Sequence, residues 1–281
     1  MKYYLRLAAW AARILPPAVK NWFYRFPPLA KILRQSLNRA APAGMTEVSI
    51  AAGNLAGFKM VLNLQTEKDY WLGTYEATLQ AALRELVRQG MVLYDIGANI
   101  GYISLMMAGL SGKEGKVFSF EALPANLRRL KENISLNNMD SIIQVHPKAV
   151  IDMTRPVRFL AHSSTSMGKA AGSAGRAEEY DQEITVRGLA LDDFVYKQKQ
   201  PSPELIKMDI EGGEGLAVKG MKRLLKDRKP ILLIELHGEE AAKAVWDALT
   251  EAEYSIMEMR TGHPKIKSLE QLNWKAYIIA K

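Results

Sequence analysis

Five side chains in the second half of the chain have the types and spacing for acid–base or metal-ligand chemistry. Asp209, Glu211 and Glu214 follow the apolar run Leu205-Ile206-Lys207-Met208, and Glu235 and His237 close the run Ile231-Leu232-Leu233-Ile234. Apolar runs of this length read as buried strands of a parallel sheet. Neighbouring parallel strands bring their carboxyl ends together beside a ligand crevice. An imidazole that titrates near neutrality, set among carboxylates, can pass a proton. Asp209, Glu235 and His237 are also an O/O/N set suited to a hard divalent cation such as Mg or Mn. The metal reading is not favoured, because similar carboxylate sets work without one. Acids that open a helix also stabilise its dipole, by ~0.3–1 kcal/mol, which accounts for Glu214 as well as a functional role does.

A second group surrounds Val92 to Gly101. Val92 and Leu93 read as a short buried strand with Asp95 near its end, and Gly97 and Gly101 frame a tight turn before the apolar run Tyr102–Leu110. Glycine lets the backbone approach a ligand that a Cβ would hold off. The pattern is Asp95-x-Gly97-Ala98-Asn99-x-Gly101 and not the G-x-G-x-x-G of a dinucleotide site. An acid ahead of the first glycine repels a pyrophosphate and attracts a cation. S-adenosylmethionine, with its ammonium and sulfonium, fits that field. Glu121 stands twenty residues after Gly101, at the end of the strand Val117–Phe120 and next to Ala122. A carboxylate there can accept both ribose hydroxyls. Glu76 is a further candidate to approach the cofactor, with a surface ion pair as the equal alternative.

The elements that must position these groups alternate along the chain. A hairpin-like lead-in, with strands around Val48–Ile50 and Lys59–Leu62, precedes a helix from Ala77 to Gln89 that Gly90 stops. The glycine-turn strand and its helix follow, then the Glu121 strand, a helix from about Pro124 to Asn137, and the strand Ile142–Val145. An insertion at about 151–190 carries two antiparallel strands, Val157–Leu160 and Glu183–Arg187, joined by the small-residue loop His162–Gly175. The Asp209 strand, a helix to about Asp227, the Glu235 strand, a helix Glu239–Ala252 and strands Tyr254–Met259 and Trp274–Ala280 complete the order. This alternation predicts an α/β, doubly wound fold. Lys207, on a buried strand, is expected to reach an acid or a carbonyl.

Hydrophobic residues make up 48% and charged residues 24% of the 281, ordinary for a folded domain, and with no cysteine there are neither disulfides nor thiolate metal sites. The net charge of +8 is local. Of 38 basic side chains, eight precede Glu47, the first acid, and the other 30 balance the 30 acids. Residues 1–44 therefore form a basic arm, cut by Pro16-Pro17 and Pro27-Pro28 into three amphipathic pieces. Lys2, Arg6 and Arg13 supply cations, and Trp10, Trp22, Phe23 and Phe26 supply interfacial aromatics. That combination suits a monotopic helix lying on anionic lipid, here the inner, cytoplasmic face of the cell membrane. No run in the arm approaches the ~20 apolar residues of a span. Arg13 interrupts the one stretch that a signal peptide would need. The alternatives are packing on the catalytic domain or on a second copy as a homo-oligomer; nucleic acid is the poorest fit, since it does not require regular amphipathicity.

Together Tyr75-Glu76, Tyr94 to Tyr102, Phe120 to Asn126, Leu191-Asp192-Asp193-Phe194, Ile206 to Glu214 and Ile234 to His237 resemble the FkbM family of S-adenosylmethionine-dependent methyltransferases. The resemblance covers roughly residues 70 to 240, with Gly213 where the family more often shows alanine. It implies a Rossmann-like sheet of seven strands, the last antiparallel; the methyltransferase domain that carries it is expected to span 45–281, behind the arm. The resemblance also implies methyl transfer, usually to a hydroxyl. A hydroxyl is a poor nucleophile until its proton is removed. His237 is the preferred general base, oriented by Asp209 or Glu235, with Glu211 beside it. The expected acceptor is a lipid, a lipid-linked sugar or another hydroxylated amphiphile. The rival readings are a soluble small-molecule or sugar O-methyltransferase whose arm serves oligomerisation, and a non-catalytic cofactor-binding assembly protein.

Overall fold

The computed structural model describes residues 43–161, 168–173, 182–272, 274 and 277–281. The arm residues expected to meet lipid, Lys2, Arg6, Trp10, Arg13, Trp22, Phe23 and Phe26, lie outside the described residues. Among those described, no helix is long and apolar enough to cross a membrane. The chain divides into two units: one reaches to Ala77 and takes in Ser135–Asn138, and the other holds Thr78–Ile134 and Met139–Lys281.

In the first unit β1 (Met45–Ser49) and β2 (Lys59–Asn63) form the expected antiparallel hairpin, Met45 opposite Asn63. Met60 and Leu62 alternate inward and are fully buried. Helix α1 (Lys68–Leu72) stops at Gly73, where the left-handed backbone packs so close to Ala52 that a Cβ would stand 2.0 Å from its carbonyl oxygen. Glu76 belongs to this unit and adopts φ +43°.

The second unit is built on a seven-stranded sheet of order β12-β13-β11-β10-β3-β4-β5. Its strands are β3 (Val92–Ile96), β4 (Lys116–Glu121), β5 (Ile143–Pro147), β10 (Leu205–Met208), β11 (Ile231–Glu235), β12 (Ile256–Glu258) and β13 (Tyr277–Ala280). From β5 through β11 they run parallel, and β13 lies antiparallel between β11 and β12, as the resemblance implies. Of the expected terminal strand, Tyr277–Ala280 pairs in the sheet, and Trp274, expected to open it, lies in a turn whose carbonyl accepts from Gly238 N at 3.2 Å. Helices α2 (Ala77–Leu86), α3 (Tyr102–Ser111), α4 (Pro124–Leu136), α5 (Glu214–Lys219), α6 (Lys222–Asp227) and α7 (Glu239–Glu251) connect the strands. β10 is buried at every residue, the pattern of a strand covered on both faces.

Alternation separates two environments at the sheet centre. Tyr94, Phe118 and Phe120 share one face and pack around Phe194, with ring centroids 5.3–5.9 Å from it. His146, one strand over, stacks on Phe120 at 5.2 Å, and burial pushes its imidazole down to about 4. Asp95 and Ser119 take the opposite face, toward α3, where Ser104 Oγ donates to Asp95 Oδ2 at 2.6 Å.

The insertion holds more than a hairpin. β7 (Pro156–Ala161) and β9 (Gln182–Leu189) pair antiparallel as expected, β6 (Ala149–Val150) joins β9, and β8 (Gly168–Ala170) adds to β7. Gly168-Lys169-Ala170 has no β-branched or aromatic residue to signal a strand. It forms by pairing with Phe159–Ala161 and burying Ala170 against Val157 and Phe159. Most of the expected loop, residues 162–167 and 174–175, lies outside the described residues.

The helix expected to run from the acidic loop to Asp227 is broken in two at Gly220, where Ile151 O would stand 2.1 Å from an added Cβ. Asp192 restarts it: Oδ2 accepts from Arg223 N at 3.0 Å and Oδ1 from Leu224 N at 2.8 Å, satisfying two orphan donors of the first turn of α6. Asp192→Ala is therefore expected to lower stability by about 0.5–2 kcal/mol in urea unfolding while leaving cofactor affinity unchanged.

Candidate active site

The register of the central strands sets the site. Met208 of β10 lies beside Ile96 of β3 and Ile234 of β11, and Ile96 lies beside Phe120 of β4, so the chain leaves all four strands at one level. Gly97, Asp209, Glu235 and Glu121 sit at that level. The turn after β3 takes φ +77° at Gly97, +48° at Asn99 and +92° at Gly101. At Gly97 an added Cβ would stand 1.9 Å from Asp209 O, so the glycine turn and the acidic loop touch backbone to backbone. Gly97 N and Ala98 N both donate to Phe120 O at 3.0 Å.

Asp95 is fully buried beneath this turn. Lys207 Nζ lies 3.2 Å from Asp95 Oδ1 and donates to Gly97 O at 2.8 Å, and it stands 3.8 Å from Asp209 Oδ2. Lys207 thus reaches both an acid and a carbonyl, as expected of it. The same contact revises the reading of Asp95. Its charge is neutralised by Lys207 and stabilised by Ser104, so attraction of a cationic donor cannot rest on Asp95 alone. Ser104, on the first turn of α3, is a partner that the sequence reading did not pick out.

Glu121 is likewise engaged. Oε1 accepts from Ala122 N and Leu123 N, and Oε2 from Asn99 N, each at 2.8 Å, and Asn126 adds a side-chain bond. A carboxylate offers about four lone-pair sites, so the expected two-point grip on a ribose competes with these donors. Burial pushes the Glu121 carboxyl up to about 7 although the four bonds pull it down. Asn99 Oδ1 is buried without a hydrogen-bond partner. The two glycines of the turn are needed by the protein's own packing, since an added Cβ at Gly97 would meet Asp209 O and at Gly101 Leu130 Cδ1. The orphaned Asn99 acceptor is what fits a donor-bearing group such as the ammonium or ribose of S-adenosylmethionine.

Across the crevice His237 is ringed by acids. Nδ1 donates to Glu214 Oε1 at 3.0 Å, and Nε2 faces Glu235 Oε1 at 3.6 Å, Glu211 Oε2 at 3.8 Å and Asp209 Oδ1 at 3.9 Å. Glu211 sits in the left-handed region at φ +53°. The carboxylate within hydrogen-bond distance of the ring is Glu214; Asp209 and Glu235, the partners expected from the sequence, stand farther off, at 3.9 and 3.6 Å from Nε2. The spacing Asp209-x-Glu211-x-x-Glu214 carried that signal, but helix opening explained Glu214 equally well. Burial alone would lower the His237 pKa; the Glu214 bond and the charges of Glu214, Asp209 and Glu235 outweigh it and push the imidazole up to about 9. His237 therefore rests as an imidazolium at neutral pH and must shed a proton before it can act as a base.

One ligand atom each of Asp209, Glu211 and His237 lies within 4.8 Å of the others. Glu211 takes the place that the sequence reading gave to Glu235. This set suits a hard divalent cation, which would have to displace the Nε2 proton and would bind less tightly as pH falls.

Residues 95–256, more than half of the chain, match the family described as "Methyltransferase FkbM domain". The chain belongs to the FkbM methyltransferase family. With membership comes the class of S-adenosylmethionine-dependent methyltransferases, so the non-catalytic reading does not stand. The hexuronic acid methyltransferase AglP of Haloferax volcanii is 25% identical over 209 residues, 72% of this chain and 80% of that protein. Among solved structures, an FkbM methyltransferase from Methylobacillus flagellatus KT has 20% identity and a TM-score of 0.46, covering 78% of this chain; this chain spans about half, 54%, of that one. Fibrillarin from Aeropyrum pernix with bound S-adenosyl-L-methionine has 12% identity and a TM-score of 0.42, covering 72% of each chain.

The two raised pKa values set a pH dependence. A group bound more tightly by protons in the folded state adds stability below its unfolded pKa and loses it as pH rises through the folded one. For Glu121 that window runs from 4.5 to about 7, and for His237 from 6.5 to about 9. The metal-free protein is expected to unfold at lower temperature at pH 9 than at pH 6, with His237 contributing up to about 3 kcal/mol of the change. His237→Asn should flatten the part of the melting-temperature profile above pH 6.5.

Proposed function

We propose that the chain transfers the methyl group of S-adenosylmethionine to a hydroxyl of a sugar acceptor of the hexuronic acid class, carried on a lipid at a membrane surface. The observation that carries this reading is the His237 centre: an imidazole and three carboxylates within 4 Å, one backbone contact away from the glycine turn. Support for a sugar comes from the relative named for a hexuronic acid. Support for the membrane comes from the basic amphipathic arm.

When bound, S-adenosylmethionine would supply an electrophilic methyl on its sulfonium, with the neutral thioether as leaving group. The roles of this chain's residues follow from their places. Gly97, Ala98, Asn99 and Gly101 form the cradle for the donor, with Glu121 and Ala122 as further contacts. Asp209, Glu211 and Glu235 hold the acceptor hydroxyl, and His237 Nε2, once its own proton has left to solvent, takes up the hydroxyl proton. Holding the two substrates in a near-attack pose is the main source of acceleration. Since the centre holds four carboxylates against one imidazolium, a uronic acid must present a hydroxyl edge to it and keep its own carboxylate outward.

Incubation with labelled cofactor and hexuronic acid glycosides, followed by mass spectrometry, is expected to show one O-methyl group, and His237→Ala to reduce turnover at least ~100-fold with cofactor still bound. Transfer undiminished in His237→Ala would remove the imidazole from the mechanism. Deleting residues 1–44 should lower co-sedimentation with anionic liposomes several-fold and leave turnover on a soluble glycoside intact. Unaltered sedimentation would overturn the membrane reading.

A further inference from the structure

The two loops that bear the acids and the imidazole come from different strands, β10 and β11, and one buried atom joins them. Glu214 is fully buried, and its Oε1 meets three donors: His237 Nδ1 at 3.0 Å, Gly212 N at 3.2 Å and Ile210 N at 3.3 Å. Gly212 and Ile210 flank Glu211, and Ile210 follows Asp209, so the two amides fix the turn that presents both carboxylates. Glu211 and Gly212 hold positive φ there, +53° and +97°, a conformation that needs outside support at a residue with a side chain.

We infer that Glu214 is the positioning residue of the active centre, setting the ring orientation of His237 and the placement of Asp209 and Glu211 through one oxygen. Because Nδ1 is committed to Glu214, Nε2 is the nitrogen left to face Asp209, Glu211 and Glu235. A carboxylate behind an imidazole holds the tautomer and ring angle that the reaction uses. Here the same carboxylate also braces the opposing loop, so orientation and separation are set together. Glu214 is fully buried behind the ring, so its effect passes through His237 and the acidic turn. The kinetic part of this inference rests on the methyl-transfer reading above, and the spectroscopic part does not.

The test compares wild type, Glu214→Gln and Glu214→Ala in the full chain. In wild type, proton–nitrogen NMR of ring-labelled histidine is expected to show a slowly exchanging Nδ1 proton on His237, assigned by its loss in His237→Asn. Glu214→Ala should abolish that signal and lower kcat roughly 10–100-fold, the usual loss when the partner behind a functional imidazole is removed. The dissociation constant for S-adenosylmethionine should stay within about threefold, as its cradle lies elsewhere. Glu214→Gln keeps an acceptor oxygen for the ring and the two amides and should recover part of kcat. A wild-type His237 without the protected Nδ1 proton overturns the inference, even if Glu214→Ala fails to fold. So does an unchanged kcat in Glu214→Ala, or a Glu214→Gln no better than Glu214→Ala. If wild type methylates no sugar, the acceptor assignment has failed, and the NMR comparison still decides the role of Glu214.

Discussion

The crevice depends on one buried cation. Lys207, 4% exposed, sits under the glycine turn with Asp95 at 3.2 Å, the Gly97 carbonyl at 2.8 Å and Asp209 at 3.8 Å. Burying an unpaired ammonium would be prohibitive, and removing one partner of a buried pair typically costs about 3–5 kcal/mol. The ammonium therefore obliges Asp95, the turn and the acidic loop to converge. Its position on β10, directly beside Asp95 of β3 in the parallel register, makes the convergence a property of strand pairing. The glycines then supply what the cation requires, a turn whose carbonyls point down and whose amides stay close to Phe120.

A consequence is a division of electrostatic labour. On the β3 side of the crevice the acid is matched by a lysine and a serine, and the space above is close to neutral. On the β11 side, four carboxylates surround one imidazole and the excess is negative. The imidazolium offsets only part of that excess, which is why its own pKa is held up. His146 and His237 end at about 4 and about 9: burial among aromatic rings, with the charge of Lys148, lowers the first, and the surrounding acids raise the second against its burial.

Much of this architecture was legible in the residues. The β3 turn, the Glu121 strand and the two acid-bearing strands carry contiguous apolar runs ended by glycine or acid, and these formed where expected. The seven strands and the antiparallel last one followed from the family resemblance, since sheet topology leaves no mark on local pattern. β8 was invisible because Gly168-Lys169-Ala170 owes its strand to its partner and not to propensity. The break at Gly220 was hidden for a similar reason: it is set by the approach of Ile151, far away in sequence. At the site, types and spacing identified the groups but not their partners. Glu214 and Asp209 look alike in sequence, yet one is fully buried on His237 Nδ1 and the other lines the crevice. Asp95 looked like a free anion because Lys207 is far from it along the chain.

The contact between Gly97 and the Asp209 carbonyl has a mechanical meaning. Two loops that meet backbone to backbone have no compressible side chain between them, so their spacing behaves as a rigid gauge. Drift in the residues around the crevice mouth can reshape what enters. It cannot retune the separation of the glycine turn from the acidic loop, because that separation is set by main-chain atoms.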